Sequence, residues 1–196
     1  MKTWVAVFGI VAVCWSGGVA KAELSLQLSS PDDLMGLSVG DTATVNVSLV
    51  GLVPGEQLVS LTGSVLFPDA LLGTPLSVSP GSIVPNPGDF FGVALAGQAD
   101  GLFLTFSADP VDYIASNGVF CSFDVQAQAV GSGVFAFEPL ALIAEQYNPD
   151  DPFLPILRDV QAGPELSFNV VPVFPALYLG VIGLAVAGKK LRAAIR

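Results

Sequence analysis

The sequence predicts an all-β protein, an antiparallel sandwich of eight to nine strands, followed by one transmembrane helix. Two observations predict the sandwich. Apolar and polar residues alternate through residues 23–169, and Pro, Gly and Asn turn signals separate the alternating segments. A third observation predicts the helix, because residues 170–188 carry no charged side chain and are followed by four basic residues. The 196 residues therefore hold one ordinary domain with an accessory segment at each end.

Residues 1–22 have the pattern of a secretory signal peptide. Lys2 supplies a positive charge, residues 4–15 are apolar, and Ala20 and Ala22 form a small-x-small cleavage site. The apolar run is too short to span a bilayer, so a retained anchor explains it less well. We expect the chain from residue 23 onward to be exported.

Alternation in residues 23–169 assigns each side chain to a core face or a solvent face. One apolar and one polar face per strand is typical of an antiparallel sheet. The predicted core residues of the clearest runs are Leu24, Leu26 and Leu28; Ala43, Val45, Val47 and Leu49; Leu102, Leu104 and Phe106; Val119, Cys121, Phe123, Val125, Ala127 and Ala129; and Leu166, Phe168 and Val170. Cys121, the only cysteine left after the signal, is thus predicted to be a small core residue with no disulfide partner.

Residues 170–188 predict a membrane-spanning helix. Nineteen residues of α-helix extend about 28 Å, close to the ~30 Å of a bilayer's hydrocarbon core. The basic residues Lys189, Lys190, Arg192 and Arg196 follow, which favours a cytoplasmic tail at 189–196 and an outer domain at 23–169. We predict a single-pass protein of the cell envelope or cell surface.

Charge and composition exclude several function classes. All seventeen acidic residues lie within residues 23–169, where Arg158 is the one basic residue, so this region carries a net charge of −16. Such a charge opposes nucleic-acid binding and attracts cations. The chain contains no histidine, which excludes Ser-His-Asp and HExxH chemistry. Only a carboxylate pair remains for catalysis, and no spacing singles one out, so we predict that the protein is not an enzyme.

Two acidic clusters are candidate calcium sites. Asp32 and Asp33 form one, and Asp150 and Asp151 form the other, within the Asp- and Pro-rich loop at 148–155. Calcium takes carboxylate oxygens from such loops, but neither cluster matches an EF-hand. Acidic surface loops are also common without a metal, so we favour diffuse screening by cations over one bound ion. No other cofactor is expected.

Four segments occur in an order that resembles a known family. They are residues 39–42 (VGDT), 63–72 (GSVLFPDALL), 104–107 (LTFS) and 116–125 (SNGVFCSFDV). This pattern resembles the cohesin domain, a nine-stranded jelly-roll sandwich related to certain carbohydrate-binding modules. The resemblance covers most of residues 24–171. It implies a binding or scaffolding role at a cell surface, with dockerin modules or polysaccharide as ligands.

The C-terminal segment resembles the PEP-CTERM class of bacterial sorting signals. Val171 and Pro172 precede an apolar span and a basic end, as in that class. The motif has glutamate and proline after Val-Pro, whereas this chain has Val173, Phe174 and Pro175. The resemblance implies a bacterial surface protein, and many such proteins carry a cohesin-like outer domain.

These observations predict a non-catalytic, membrane-anchored surface protein that serves binding, adhesion or scaffolding. Its expected partners are the membrane, through the C-terminal helix, and a surface protein module or extracellular polysaccharide, but not nucleic acid. The alternative is a carbohydrate-binding module, for which Tyr113 and Tyr147 are the candidate stacking rings of the outer domain. A carboxylate-based glycosidase is a more remote alternative.

Overall fold

The computed structural model describes residues 23–95, 101–108 and 112–172, and these form an all-β structure. Helical structure in these ranges comprises the one-turn helix α1 (Asp69–Leu72) and three 3-10 turns, Leu34–Gly36, Pro87–Asp89 and Pro139–Ala141. The strands are β1 (Ser25–Ser29), β2 (Leu37–Ser38), β3 (Thr42–Val50), β4 (Leu58–Leu66), β5 (Ser77–Pro80), β6 (Phe90–Leu95), β7 (Gly101–Ser107), β8 (Gly118–Gln126), β9 (Gly131–Phe137), β10 (Ile143–Gln146), β11 (Ile156–Arg158), β12 (Gln161–Ala162) and β13 (Leu166–Val171).

The strands form two sheets that share one core. The first sheet has the order β12-β1-β3-β8-β5. In the second sheet, β7 pairs with one edge of β4, and β6 lies outside β7. The other edge of β4 pairs with β10 near its start and with β9 near its end. The sheet continues from β10 to β11, and from β9 through β13 to β2. Phe123 of the first sheet meets Phe135 of the second edge-on, with ring centroids 6.1 Å apart. The predicted all-β sandwich is therefore confirmed.

The described residues contain thirteen strands, more than the eight to nine that the sequence predicts. Eight of them have five or more residues; of the five shorter ones, β2, β5, β11 and β12 lie at sheet edges, and β10 lies between β4 and β11. The antiparallel prediction also needs a correction, because β12 pairs with β1, and β2 with β13, in parallel. These pairs are two residues long and add edge segments that alternation patterns cannot reveal, since two residues define no period.

The predicted core face is buried except at three positions. Val119, Ala129 and Leu166 are half-buried, and every other residue predicted to point inward is buried. At Val119 the cause is a β-bulge in β8, because Val47 pairs with Cys121 while Ser48 pairs with Val119. The extra residue, Phe120, is buried in place of Val119 and contacts the ring of Phe90.

The C-terminal end of the sandwich lies two residues beyond its predicted boundary. Val170 and Val171 belong to β13, and Val170 is buried opposite Gly131. The prediction failed here because β13 and the apolar run that follows it share one composition without a polar break. The rest of the predicted span, the basic tail, the signal peptide and most of the sorting motif lie outside the described residues. Within the described ranges, no helix has the length and apolarity needed to cross a bilayer.

Candidate functional site

The outer face of the second sheet presents a surface built by four neighbouring strands. Across β6, β7, β4 and β10, Phe91 pairs with Thr105, Thr105 with Thr62, and Thr62 with Ile143. The next row places Val93 opposite Phe103. Alternate residues of these strands point to the core, so the paired residues named here share the opposite, solvent-facing side. We call this surface the β6-β10 face.

Apolar side chains lie at both margins of the β6-β10 face. Phe91 is 60% exposed and Ile143 is 45% exposed. Between them the Oγ1 atoms of Thr62 and Thr105 are hydrogen-bonded at 3.1 Å. The face therefore offers exposed hydrocarbon on either side of a hydroxyl strip, a composition that suits contact with another protein surface.

The outer face of the first sheet has the opposite character. Asp124 on β8 accepts hydrogen bonds from Thr44 and Ser77, both at 2.7 Å, and these side chains lie on the two flanking strands. Ser122 donates to the side-chain oxygen of Asn46, also at 2.7 Å. These polar groups satisfy one another across β3, β8 and β5. Fewer free hydrogen-bond donors and acceptors therefore remain on this face for a partner.

The four candidate calcium ligands lie in two separate loops, and three of them accept hydrogen bonds from backbone N–H groups. Asp32 Oδ2 accepts the N–H of Thr44 at 2.8 Å, and Asp33 Oδ1 caps the N–H of Met35 at 3.0 Å. In the second loop Asp151 Oδ1 accepts the N–H of Phe153 at 3.1 Å. No group of three or more acidic or cysteine side chains suited to a metal occurs in the described part of the chain. Calcium binding stays a prediction.

Cys121 is a core residue, as predicted. Its side chain is fully buried, and desolvation raises the pKa of the thiol far above its usual range. A thiol that stays neutral is a poor nucleophile, because the thiolate is the reactive form. The structure therefore gives Cys121 a packing role.

The two tyrosines proposed as stacking rings are brought together by the fold. The rings of Tyr113 and Tyr147 lie 5.1 Å apart, between centroids, at an interplanar angle of 34°. They line an open groove together with Phe153 and Pro155 of the loop between β10 and β11. Sequence analysis could not find this pairing, since 34 positions separate the tyrosines and their meeting depends on the sheet order.

Solved structures with the same fold are cohesin modules. The chain aligns with a Clostridium thermocellum OlpC cohesin in a type I cohesin–dockerin complex at 18% identity and a TM-score of 0.55, covering 76% of this chain and 97% of that one. It aligns with the seventh ScaB type I cohesin of Pseudobacteroides cellulosolvens at 15% identity and a TM-score of 0.59, covering 77% and 95%. The described domain has the cohesin fold.

A third cohesin module with the same fold is part of an enzyme. The cohesin module of a Clostridium perfringens family 33 glycoside hydrolase aligns at 10% identity and a TM-score of 0.56, covering 77% of this chain and 98% of that one. No family model and no curated protein matches the chain. The cohesin-like domain thus accounts for about three quarters of the sequence, and the likeness rests on the fold.

Sequence analysis missed the contrast between the two outer faces of the cohesin-like domain. Phe91 and Val93 lie in a segment with a period-two pattern, but Phe90, Phe91 and Val93 are all apolar, so the pattern does not say which side is exposed. The residue that indicates the inner side of β6 is Gly92, whose small size lets β6 pack against Val78 of the other sheet. An added Cβ at Gly92 would lie 2.6 Å from Val78 Cγ1, which places Gly92 on the inner side.

Proposed function

We propose that the chain is an exported, membrane-anchored surface protein whose cohesin-like domain binds a partner protein module without catalysis. The domain presents the β6-β10 face to that partner. The signal peptide at 1–22 directs export, and the apolar segment after Pro172 holds the domain at the outside of the membrane.

The observation that carries this proposal is the exposure of Phe91, Val93 and Ile143 around the Thr62–Thr105 hydroxyl strip. Burying exposed aromatic and aliphatic side chains contributes about 25 cal/mol per Å² of apolar area. Strands that are hydrogen-bonded to their neighbours keep their positions on binding, which lowers the entropy cost of association. Protein interfaces are enriched in aromatic side chains, and Phe91 is the exposed aromatic residue of this face.

The cohesin structures support the same class of function. Several were solved as complexes with dockerins, among them the OlpC cohesin and a sixth scaffoldin B cohesin of Acetivibrio cellulolyticus bound to a Cel5 dockerin. The shared fold makes a protein module the natural partner class for this domain. A dockerin-like module is the specific form of the proposal.

The carbohydrate-binding alternative finds less support in the described residues. A sugar ring needs an exposed aromatic face beside free hydrogen-bonding groups. The rings of Tyr113 and Tyr147 line an open groove, but the polar group beside them is already engaged, because Asn148 donates to Leu154 and accepts from the N–H of Asp150 within its own loop. A glycan array probed with the full chain separates the two functions, since the proposal predicts no retained sugar.

Capture from the native cell envelope tests the proposed face. The full chain is compared with a variant carrying Phe91→Ser and Val93→Ser, and with Leu76→Ser as a matched control, because Leu76 is exposed outside the β6-β10 face. We expect a protein that the parent and the control retain and the face variant loses. That protein is then purified and its affinity measured for all three forms. Equal affinities would reject the β6-β10 face.

A further inference from the structure

A second surface lies at the β10–β11 end of the domain, apart from the rows that define the β6-β10 face. It is an open groove of about 420 Å³ between the Tyr113–Tyr147 pair and the loop that carries Pro152, Phe153 and Pro155. Its lining is mainly hydrocarbon and aromatic. We call it the tyrosine groove.

The loop wall of the tyrosine groove exposes large apolar side chains to solvent. Phe153, which lines the groove, is 95% exposed, and two nearby residues that do not line it, Leu154 in the same loop and Leu157 on β11, are 65% and 69% exposed. Monomeric globular proteins rarely expose several large apolar side chains so close together in the chain unless these side chains take part in binding. The loop is nevertheless ordered internally, because Leu154 donates its N–H to the carbonyl of Asp151 and accepts a hydrogen bond from Asn148.

The loop before β11 disfavours a ligand that would pair with β11 as an extra strand, and favours one that is bound through its side chains. Strand β11 ends the sheet order and pairs with β10 on one side. Pro155 comes immediately before this three-residue strand, and Pro152 lies three residues earlier, so the chain leading to the edge is poor in N–H donors. An occupant must therefore be held mainly by its side chains.

Among the described residues, the charged ones that stand next to the groove's lining residues in the sequence are acidic. Asp112 precedes Tyr113, and Asp150 and Asp151 precede Pro152; we call these three residues the acidic rim. The one basic residue of the domain, Arg158, donates to Glu56 at 2.7 Å and also to Gln146, and its side chain is only 13% exposed. It does not balance the acidic rim, so the groove is complementary to a cation beside an apolar group.

We propose that the tyrosine groove binds an extended basic peptide segment of a partner protein. Apolar or proline side chains of the segment pack on Tyr147 and Phe153, as proline-rich segments do in aromatic grooves, while its arginines or lysines meet Asp150 and Asp151. A second copy of this domain is a poor occupant, because two acidic rims would face each other. This site is additional to the β6-β10 face and does not depend on it.

Fluorescence anisotropy on the full chain in phosphatidylcholine nanodiscs tests the proposal. The probe is a labelled nonapeptide of three Arg-Pro-Leu repeats, compared with peptides in which Glu replaces Arg or Ser replaces both Pro and Leu. We expect the Arg-Pro-Leu peptide to bind at least about tenfold more tightly than either control, and its affinity to fall as salt is raised. Equal binding of the three peptides, or displacement by cellohexaose at equal concentration, would overturn the proposal.

Variants locate the binding within the groove. Phe153→Ser should weaken binding about fivefold or more without unfolding the domain, since Phe153 is almost fully exposed. Asp150→Asn with Asp151→Asn should weaken it and flatten its salt dependence, while each Asn keeps an oxygen acceptor for the loop. Glu165→Gln and Leu76→Ser serve as exposed controls and should bind like the parent. Unchanged binding by Phe153→Ser would place the peptide elsewhere and refute the groove.

Discussion

Arg158 donates a hydrogen bond from Nη1 to Oε1 of Glu56 at 2.7 Å, across 102 positions of the chain. Both side chains are largely buried, at 13% and 12% exposure. Arg158 also donates to Gln146 on β10, so one guanidinium ties β11 to its neighbouring strand and to the turn before β4. The sole cation of a strongly acidic domain is thus used inside the structure.

Replacing Arg158 with Met should destabilise the protein by about 2 kcal/mol, because it leaves the Glu56 carboxylate without its ion pair in a mostly buried position. Urea denaturation of the full chain measures the change. The double variant Arg158→Met with Glu56→Gln should lose less than the sum of the single variants. Additive losses would show that the two side chains do not interact in solution.

The β-bulge in β8 predicts unequal effects at two adjacent positions. Phe120→Ala should cost about 3–5 kcal/mol, since it empties a fully buried site against Phe90, whereas Val119→Ala should cost about 1 kcal/mol or less. Chemical denaturation of both variants checks this. A larger loss of stability at Val119 than at Phe120 would reject the bulge.

The alternation further along β8 predicts a second contrast. Phe123→Asp should unfold the domain, because it places a charge in the core, and Gln126→Asp on the outer side should be nearly silent.

Cys121 should resist thiol reagents in the folded protein. Burial raises the pKa of its thiol, so the folded state holds the neutral form at pH values where an unfolded thiol, with a pKa near 8.5, ionises. The unfolded state then binds fewer protons, and this contribution to stability is full below the unfolded pKa and declines as pH rises above it. Labelling of a Cys14→Ser chain with a thiol-reactive dye at pH 8, before and after adding urea, measures this protection, because Cys121 is then the only thiol. Rapid labelling without urea would contradict it.

Calcium should stabilise the protein no more than sodium at matched ionic strength. The carboxylates of Asp32, Asp33 and Asp151 each accept a backbone N–H, so the loops are already organised without an ion. Cations then act by screening the repulsion among acidic side chains. Thermal melts in calcium, magnesium and sodium test this. A calcium-specific increase in Tm that Asp150→Asn with Asp151→Asn abolishes would establish a bound ion instead.

Removing residues 173–196 should release the folded domain into the medium. The truncation keeps β13 whole, which a cut at residue 170 would not, because Val170 is buried and paired with Gly131. Fractionation of cells with the intact and truncated chains measures the distribution. If both forms sediment with membranes, the segment after Pro172 is not the anchor.

The sequence predicted those parts of the fold in which one residue in two is apolar. In β3, the residues from Ala43 to Leu49 alternate cleanly, and the structure buries each one that was predicted to point inward. Prediction failed at Phe120, because a bulge changes the period by one residue and leaves no mark in the composition. The burial of Val170 was predicted, but the domain boundary drawn at residue 169 falls inside β13, because the core strand and the apolar segment after it have the same composition.

The candidate surfaces were harder to predict because they depend on which strands become neighbours. The β6-β10 face joins Phe91 to Ile143, and the tyrosine groove joins Tyr113 to Tyr147. Alternation gives the side of a strand on which a residue lies, but not the strand beside it. These surfaces depend on the pairing of strands that are far apart in the sequence, and the alternation pattern does not specify that pairing.

The position of β13 has a mechanical consequence for an anchored protein. This strand pairs with β9 over five registered residues on one side and with β2 over two on the other. If the chain after Pro172 is held in a membrane, tension on it reaches the domain through β13. Where that tension runs along the strand, it loads the hydrogen bonds of β13 together in shear, because these bonds run across the strand. Such loading resists a pull better than opening the bonds one at a time.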